Sequence, residues 1–184
     1  MRAYLGFFLV LIFSVSSISC SWKEAAQQVS GNAQKTTIYV VRHAEKELGS
    51  APGLTPQGAV RADFYAKFFA KEKIAAVYST PTRRTIETAT PLAIAQGLSV
   101  EEYANGLNFD VFAQTLLTEH AGETIFIVGH SNTVPLLVNS LSRTEDHTDL
   151  PHGEYRRLYQ VIVDAEYDAV VRVWEVPIEV VVED

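Results

Sequence analysis

Thr37-Ile38-Tyr39-Val40-Val41, followed at once by Arg42-His43, reads as a short buried strand that delivers two chemically useful side chains at its carboxyl end. A second run of the same kind, Thr124-Ile125-Phe126-Ile127-Val128, is followed by Gly129-His130. Guanidinium is planar, permanently charged and a bidentate donor to phosphoryl oxygens, so an imidazole beside it is placed to attack phosphorus or to carry a proton. Gly129 lets the backbone come close to its neighbours at the second run. An Arg-His pair is common by chance, so the reading rests on what surrounds it.

Apolar strands alternate with helical patterns along the rest of the chain. Pro56 to Lys71 carries Val60, Phe64, Phe68 and Phe69 at helical spacing, and Ile74 to Tyr78 reads as a second short strand. Pro81 to Ala95 reads as a helix with Thr80 as its cap, Pro81 in its first turn and Gly97 at its end. Val100 to Tyr103 reads as a strand, Phe109 to His120 and Thr133 to Leu141 as helices. Arg156 to Val163 and Ala169 to Val176 read as two strands joined by a turn near Glu166-Tyr167-Asp168. This order predicts a three-layer α/β/α fold, with a mostly parallel sheet, right-handed crossovers and helices on both faces. Arg42-His43, Ser79 and Gly129-His130 then open onto one crevice at the same sheet edge.

The chain has 184 residues, and residues 1–20 read as an export signal: Arg2, an apolar stretch from Tyr4 to Val15, then Ser16-Ser17-Ile18-Ser19-Cys20. Cys20 is the only cysteine, so no intrachain disulfide can form. Its place resembles the acylated acceptor of bacterial lipoproteins, which implies an exported protein, periplasmic or in the cell envelope, attached to the membrane through a lipid on Cys20. An ordinary signal cleaved nearby is the alternative. Residues 21–35 read as a polar tether and residues 36–184 as one domain. A formal charge of −7 argues against a nucleic-acid surface, so any anion-binding arginines must form a local pocket in an acidic exterior.

Four strings recur in a telling order: Arg42-His43-Ala44-Glu45, Leu54-Thr55-Pro56-Gln57-Gly58, Arg84-Thr85-Ile86-Glu87-Thr88-Ala89 and Val128-Gly129-His130-Ser131-Asn132. Together they resemble the motifs of the histidine phosphatase superfamily, the phosphoglycerate-mutase-like proteins, in a small single-domain, phosphohistidine-phosphatase-like form. The resemblance implies that family's fold, a His43 nucleophile that becomes phosphorylated, and phosphoryl binding by Arg42, Arg84 and His130. It implies no metal and no other cofactor. Counting from Ser79 alone leaves Arg83 and Arg84 both open, and the Thr88-Ala89 pairing favours Arg84. Thr55 is grouped with the substrate-binding residues. Lys46, in the loop after the nucleophile, is a candidate substrate contact, with a solvated loop charge as the equal alternative.

A proton donor is harder to find. Many family members carry an acid between the second arginine and the second histidine, shortly after a strand; here that segment reads Val100-Glu101-Glu102-Tyr103-Ala104-Asn105. Glu102 is the candidate, although Ala104 and Asn105 stand where an aspartate is sought. A site without a carboxylic donor favours leaving groups that need little protonation, such as those of aryl, acyl or histidyl phosphates. The expected function is a metal-independent phosphatase, a hydrolase acting through phosphohistidine on a small phosphorylated substrate or a phosphoprotein. The alternatives are a non-catalytic envelope protein that binds a phosphorylated ligand and a phosphoglycerate-type mutase. His120, His147 and His152 show no compact metal-ligand spacing.

Overall fold

The strands β1 (Thr36–Arg42), β2 (Ala76–Ser79), β3 (Val100–Glu102), β4 (Thr124–Gly129), β5 (Arg157–Val163) and β6 (Ala169–Glu175) join in one sheet, in the order β3-β2-β4-β1-β5-β6. The computed structural model describes residues 35–176. The export segment with Cys20 and all of the tether except Lys35 lie outside the described residues. β1, β4, β2 and β3 pair in parallel, β5 runs antiparallel to β1, and β6 reverses again. β5 is therefore the one strand opposed to the other five, and the sheet is mixed but mostly parallel.

Helices cover both faces. β1 alternates Ile38 and Val40 toward one face with Tyr39 and Val41 toward the other, and all four are buried. Ile38 and Val40 share a core with Ala113 and Leu116 of α3 (Phe109–Glu119) and with Val134, Leu137, Val138 and Leu141 of α4 (Thr133–Ser142). Tyr39 and Val41 share the opposite core with Tyr65 of α1 (Pro56–Phe68) and Ala89, Leu92 and Ala93 of α2 (Arg83–Gln96). β4 is buried the same way: Ile125 and Ile127 face one core, Phe126 and Val128 the other. The two runs lack polar alternation because neither face meets water.

Local signals explain the helix ends. Thr55 caps α1 by accepting from Gly58 N–H, with Pro56 at the first helical position. Asn108 caps α3 by accepting from Asp110 and Val111. Gly97 ends α2 in a left-handed conformation at φ 70°, which glycine adopts without a Cβ penalty.

Two expectations need correction. α2 starts at Arg83 with Thr82 as its cap residue, so Pro81 precedes the helix and Thr80 does not cap it. The Thr80 hydroxyl is engaged instead with Thr85 and His130. The buried face of α1 also differs from the expected Val60, Phe64, Phe68 and Phe69 stripe. Gly58, Arg61, Ala62 and Tyr65 turn inward, Val60 and Phe68 are exposed, Phe64 is half-buried, and Phe69 is buried just beyond the helix. A charged residue holds an inward place because Arg61, only 2% exposed, pairs with Glu45: Nη2 lies 2.6 Å from Oε1 and Nε 2.9 Å from Oε2, while Nη1 donates to the Val176 carbonyl. Gly58 seats directly against the Glu45 carbonyl, where a Cβ would collide with backbone. The remaining boundaries differ from the sequence reading by one to three residues.

Candidate active site

Parallel pairing aligns the carboxyl ends of β1, β2 and β4, with Arg42 level with Gly129 and Ser79 level with Val128. His43 and His130 follow directly, and the His43 amide donates to the Gly129 carbonyl. Their ring centroids are 5.6 Å apart. Arg84 enters from the first turn of α2 and places Nη2 3.3 Å from His130 Nδ1. Arg42, His43, Arg84 and His130 thus meet at one sheet edge, although they span 89 positions of sequence from first to last (130 − 42 + 1).

His43 is buried, and its Nδ1 lies 2.8 Å from the Ala44 carbonyl. A carbonyl only accepts, so Nδ1 carries the proton and Nε2 keeps its lone pair. The turn that provides this carbonyl is itself fixed. Ala44 N–H donates to Thr88 Oγ1, which donates to the Arg84 carbonyl, linking the turn after His43 to the helix that carries Arg84.

A hydroxyl relay sets the tautomer of His130. Arginine only donates, so the 3.3 Å contact makes Nδ1 an acceptor and leaves the proton on Nε2, which lies 2.9 Å from Thr80 Oγ1. Thr80 passes its own proton to Thr85 Oγ1, and Thr85 donates to main-chain carbonyls. The His130 amide donates to Thr133 Oγ1. Gly129 is packed so closely that a Cβ would meet Thr133 Oγ1 and Tyr103 Oη at 2.9 Å.

Burial is the main cause that pushes the His43 pKa down to about 3, and the positive charges of Arg42 and Arg84 add to it. His130 falls to about 4 for the same reasons, burial first, then Arg84 and Arg42. Both rings are therefore neutral at pH 7. In the unfolded chain each titrates near 6.5, so on acidification the unfolded state takes up protons that the native state refuses. Stability from these histidines is present above pH 6.5 and is lost as pH falls toward 4. Calorimetry should show Tm falling more steeply over that window in the parent than in a His43→Ala, His130→Ala double variant. Parallel slopes would contradict the burial of neutral rings.

The arginines are held differently. Arg42 Nη1 donates to the carbonyls of Pro151, His152 and Glu154 at 2.9–3.1 Å, and the Tyr155 ring lies over its guanidinium at 4.4 Å. Among the described residues, four buried side-chain polar atoms lack a partner, and two of them are Nε of Arg42 and Nε of Arg84. Buried donors normally find acceptors, and both of these belong to the side chains gathered at this sheet edge. Arg83 does not join the cluster: it is exposed and pairs with Glu87 at 2.7 Å. Glu87 also accepts from Leu54 N–H, pinning the loop that follows His43.

The other sequence candidates stand apart from the cluster. Thr55 uses its hydroxyl as the α1 cap and contacts the Glu45 carbonyl at 3.4 Å. Lys46 is half-buried, with Nζ 3.4 Å from the Glu47 carbonyl. Glu102 is exposed at the end of β3, level with Ser79, and no ion pair or hydrogen bond joins it to the arginines and histidines. Sequence reasoning missed Tyr155 and Arg61. Tyr155 gave no signal, because a loop residue before a strand has no diagnostic spacing. Arg61 did give one: it shares a helical face with Gly58, Ala62 and Tyr65.

The comparisons with known proteins point the same way. A sequence model of the histidine phosphatase superfamily (branch 1) matches residues 38–106. A candidate phosphoserine phosphatase of Hydrogenobacter thermophilus is 34% identical over 82 residues, an alignment covering 39% of this chain and 40% of that protein. The chain thus spans about two fifths of the length of the curated relative it matches. Among solved structures, the protein histidine phosphatase SixA complexed with tungstate aligns with a TM-score of 0.58 at 17% identity, over 76% of this chain and 96% of that one. A mycobacterial glucosyl-3-phosphoglycerate phosphatase aligns with a TM-score of 0.60 at 12% identity, over 78% and 100%. The sequence match spans the first three of the four motif strings, and the solved phosphatases share the fold of this chain, which is thus similar to the histidine phosphatase superfamily in both respects.

Proposed function

We propose that the protein is a phosphatase that hydrolyses phosphate esters or related phosphoryl compounds through a phosphohistidine on His43. The observation that carries this reading is the pair of partnerless Nε donors, on Arg42 and Arg84, flanking a neutral imidazole whose proton is held on Nδ1. Phosphoryl transfer spreads charge over three equatorial oxygens, so fixed cationic donors around an in-line nucleophile do most of the work. His43 Nε2 forms the N–P bond as the P–O bond of the leaving group breaks, and the electron pair departs on that oxygen. Water then attacks phosphorus, the N–P bond breaks, and His43 regains its lone pair. The two guanidinium groups bind the phosphoryl oxygens, and His130, whose Nε2–H is held by the Thr80–Thr85 relay and whose Nδ1 accepts from Arg84, holds Arg84 beside them. The relatives named for phosphatase activity, and the tungstate oxyanion held by the SixA neighbour, support the same reading.

The substrate class follows from the donor. No carboxylate among the described residues hydrogen-bonds into the cluster, and Glu102 is exposed at the end of β3. Aryl, acyl and histidyl phosphates, whose leaving groups need little protonation, suit such a site best. The test is turnover of p-nitrophenyl phosphate in EDTA by the parent, Arg84→Ala and Arg83→Ala. Arg84→Ala should lose about 10²-fold or more in kcat/KM, the scale of one lost transition-state donor, and Arg83→Ala less than about tenfold. Equal losses would refute the assignment of Arg84. Phosphate binding without turnover of any ester would favour a binding protein.

A further inference from the structure

Arg42 is held at one corner only. Its Nη1 serves three backbone carbonyls of a single strap, Pro151, His152 and Glu154, while Nε has no partner. Bonds gathered at Nη1 hold that end of the guanidinium, and among the described residues neither Nε nor Nη2 has a hydrogen bond that holds the opposite edge. What restrains the plane is the Tyr155 ring, stacked over Cζ at 4.4 Å. The same ring lies 5.8 Å from the His43 ring, so one side chain braces both members of the pair. The strap that carries it is anchored at each end. Leu150 N–H donates to the Ser131 carbonyl, next to His130, and β5 begins at Arg157 and pairs along β1 up to Val41.

We infer that Tyr155 is a positioning residue for the anion site, holding the Arg42 guanidinium plane so that its Nε and Nη2 edge faces the phosphoryl group. The inference rests on the reading of the site as an anion-binding phosphatase centre. Stacking, not the hydroxyl, does the positioning, since no hydrogen bond is made by Tyr155 Oη among the described residues. The ring also defines one wall beside the nucleophile, so a substrate reaches His43 past an aromatic surface.

Three variants test this, with Ki for inorganic phosphate and kcat/KM on p-nitrophenyl phosphate as readouts. Tyr155→Phe should keep both within about twofold, and Tyr155→Leu should weaken both by roughly tenfold, the scale of a partly desolvated cation–π contact. In an Arg42→Lys background, which has no plane to orient, Tyr155→Leu should cost less than about twofold. If the leucine variant does not fold, Tyr155→Gln replaces it with the same expectations. Equal losses in the arginine and lysine backgrounds, or a phenylalanine variant as weak as leucine, would overturn the inference. A parent that binds phosphate without turning over esters would sink the phosphatase reading alone, and the Kd of each variant for phosphate by titration calorimetry would still decide the role of Tyr155.

Discussion

His43→Ala is expected to lower kcat on p-nitrophenyl phosphate by at least about 10³-fold, the scale of a deleted nucleophile, while phosphate still binds. The two effects separate because they belong to different groups. Arg42 is held by three carbonyls and Tyr155, and Arg84 by its helix and His130, and none of these contacts uses the His43 ring. The backbone of His43 also keeps its bond to the Gly129 carbonyl after the ring is removed, so the sheet edge stays paired. Ki for phosphate should therefore change by less than about tenfold, the smaller share expected when one of several binding groups is lost. His130→Ala should fall between, at about 10²-fold, because it frees Arg84, a transition-state donor, from its partner and removes no nucleophile. Steady-state kinetics with circular dichroism of each variant checks the series. A His43→Ala protein that keeps more than about a tenth of parent turnover would refute the nucleophile assignment.

Breaking the Glu45–Arg61 pair is expected to be the largest single loss of stability outside the apolar cores, about 3–5 kcal/mol for Glu45→Ala. Arg61 is 2% exposed and Glu45 side-chain exposure is 16%, so removing the carboxylate leaves a buried guanidinium with only the Val176 carbonyl for compensation. At about 2–4 °C per kcal/mol for a domain of this size, Tm should drop by roughly 10 °C. Replacing both partners, Glu45→Gln with Arg61→Met, should recover much of the loss, because no uncompensated charge then remains. Urea unfolding of the parent and the two variants measures this. The pair also adjoins the turn after His43: Glu45 follows Ala44, whose carbonyl sets the His43 tautomer, and its own carbonyl receives Thr55 N–H. A single variant that loses less than about 1 kcal/mol would mean that water reaches Arg61 more freely than its burial indicates.

The strongest sequence signals were those with a repeating physical cause. β1 and β4 stood out because burial on two faces removes every polar residue from a strand, and the parallel order followed from helices lying between them. The convergence of Arg42, His43, Arg84 and His130 was legible for the same reason, since strand ends of a parallel sheet share an edge. Counting from Ser79 could not choose between Arg83 and Arg84, the Thr88-Ala89 pairing favoured Arg84, and the structure places Arg84 against His130 while Arg83, about 100° round the helix, pairs with Glu87. The α1 face was misjudged by counting apolar residues alone: Val60 and Phe68 point outward, and Arg61 points inward because a partner sixteen residues away neutralises it. Tyr155 and the carbonyls of residues 151, 152 and 154 could not be read at all. Main-chain acceptors carry no sequence identity, and a loop places its side chains by tertiary contact.

The central claim is that phosphorus is transferred to His43, and trapping the phosphoenzyme tests it most directly. Rapid quenching during turnover of an aryl phosphate, followed by peptide mass spectrometry at alkaline pH, should find up to one phosphoryl group per chain on the peptide containing His43. A phosphorus–nitrogen bond is labile in acid and stable in alkali, so the label should survive base and vanish on acid treatment. It should be absent from His43→Ala. A phosphoryl group on any other residue, or a burst of nitrophenol from a protein that never becomes labelled, would contradict the account.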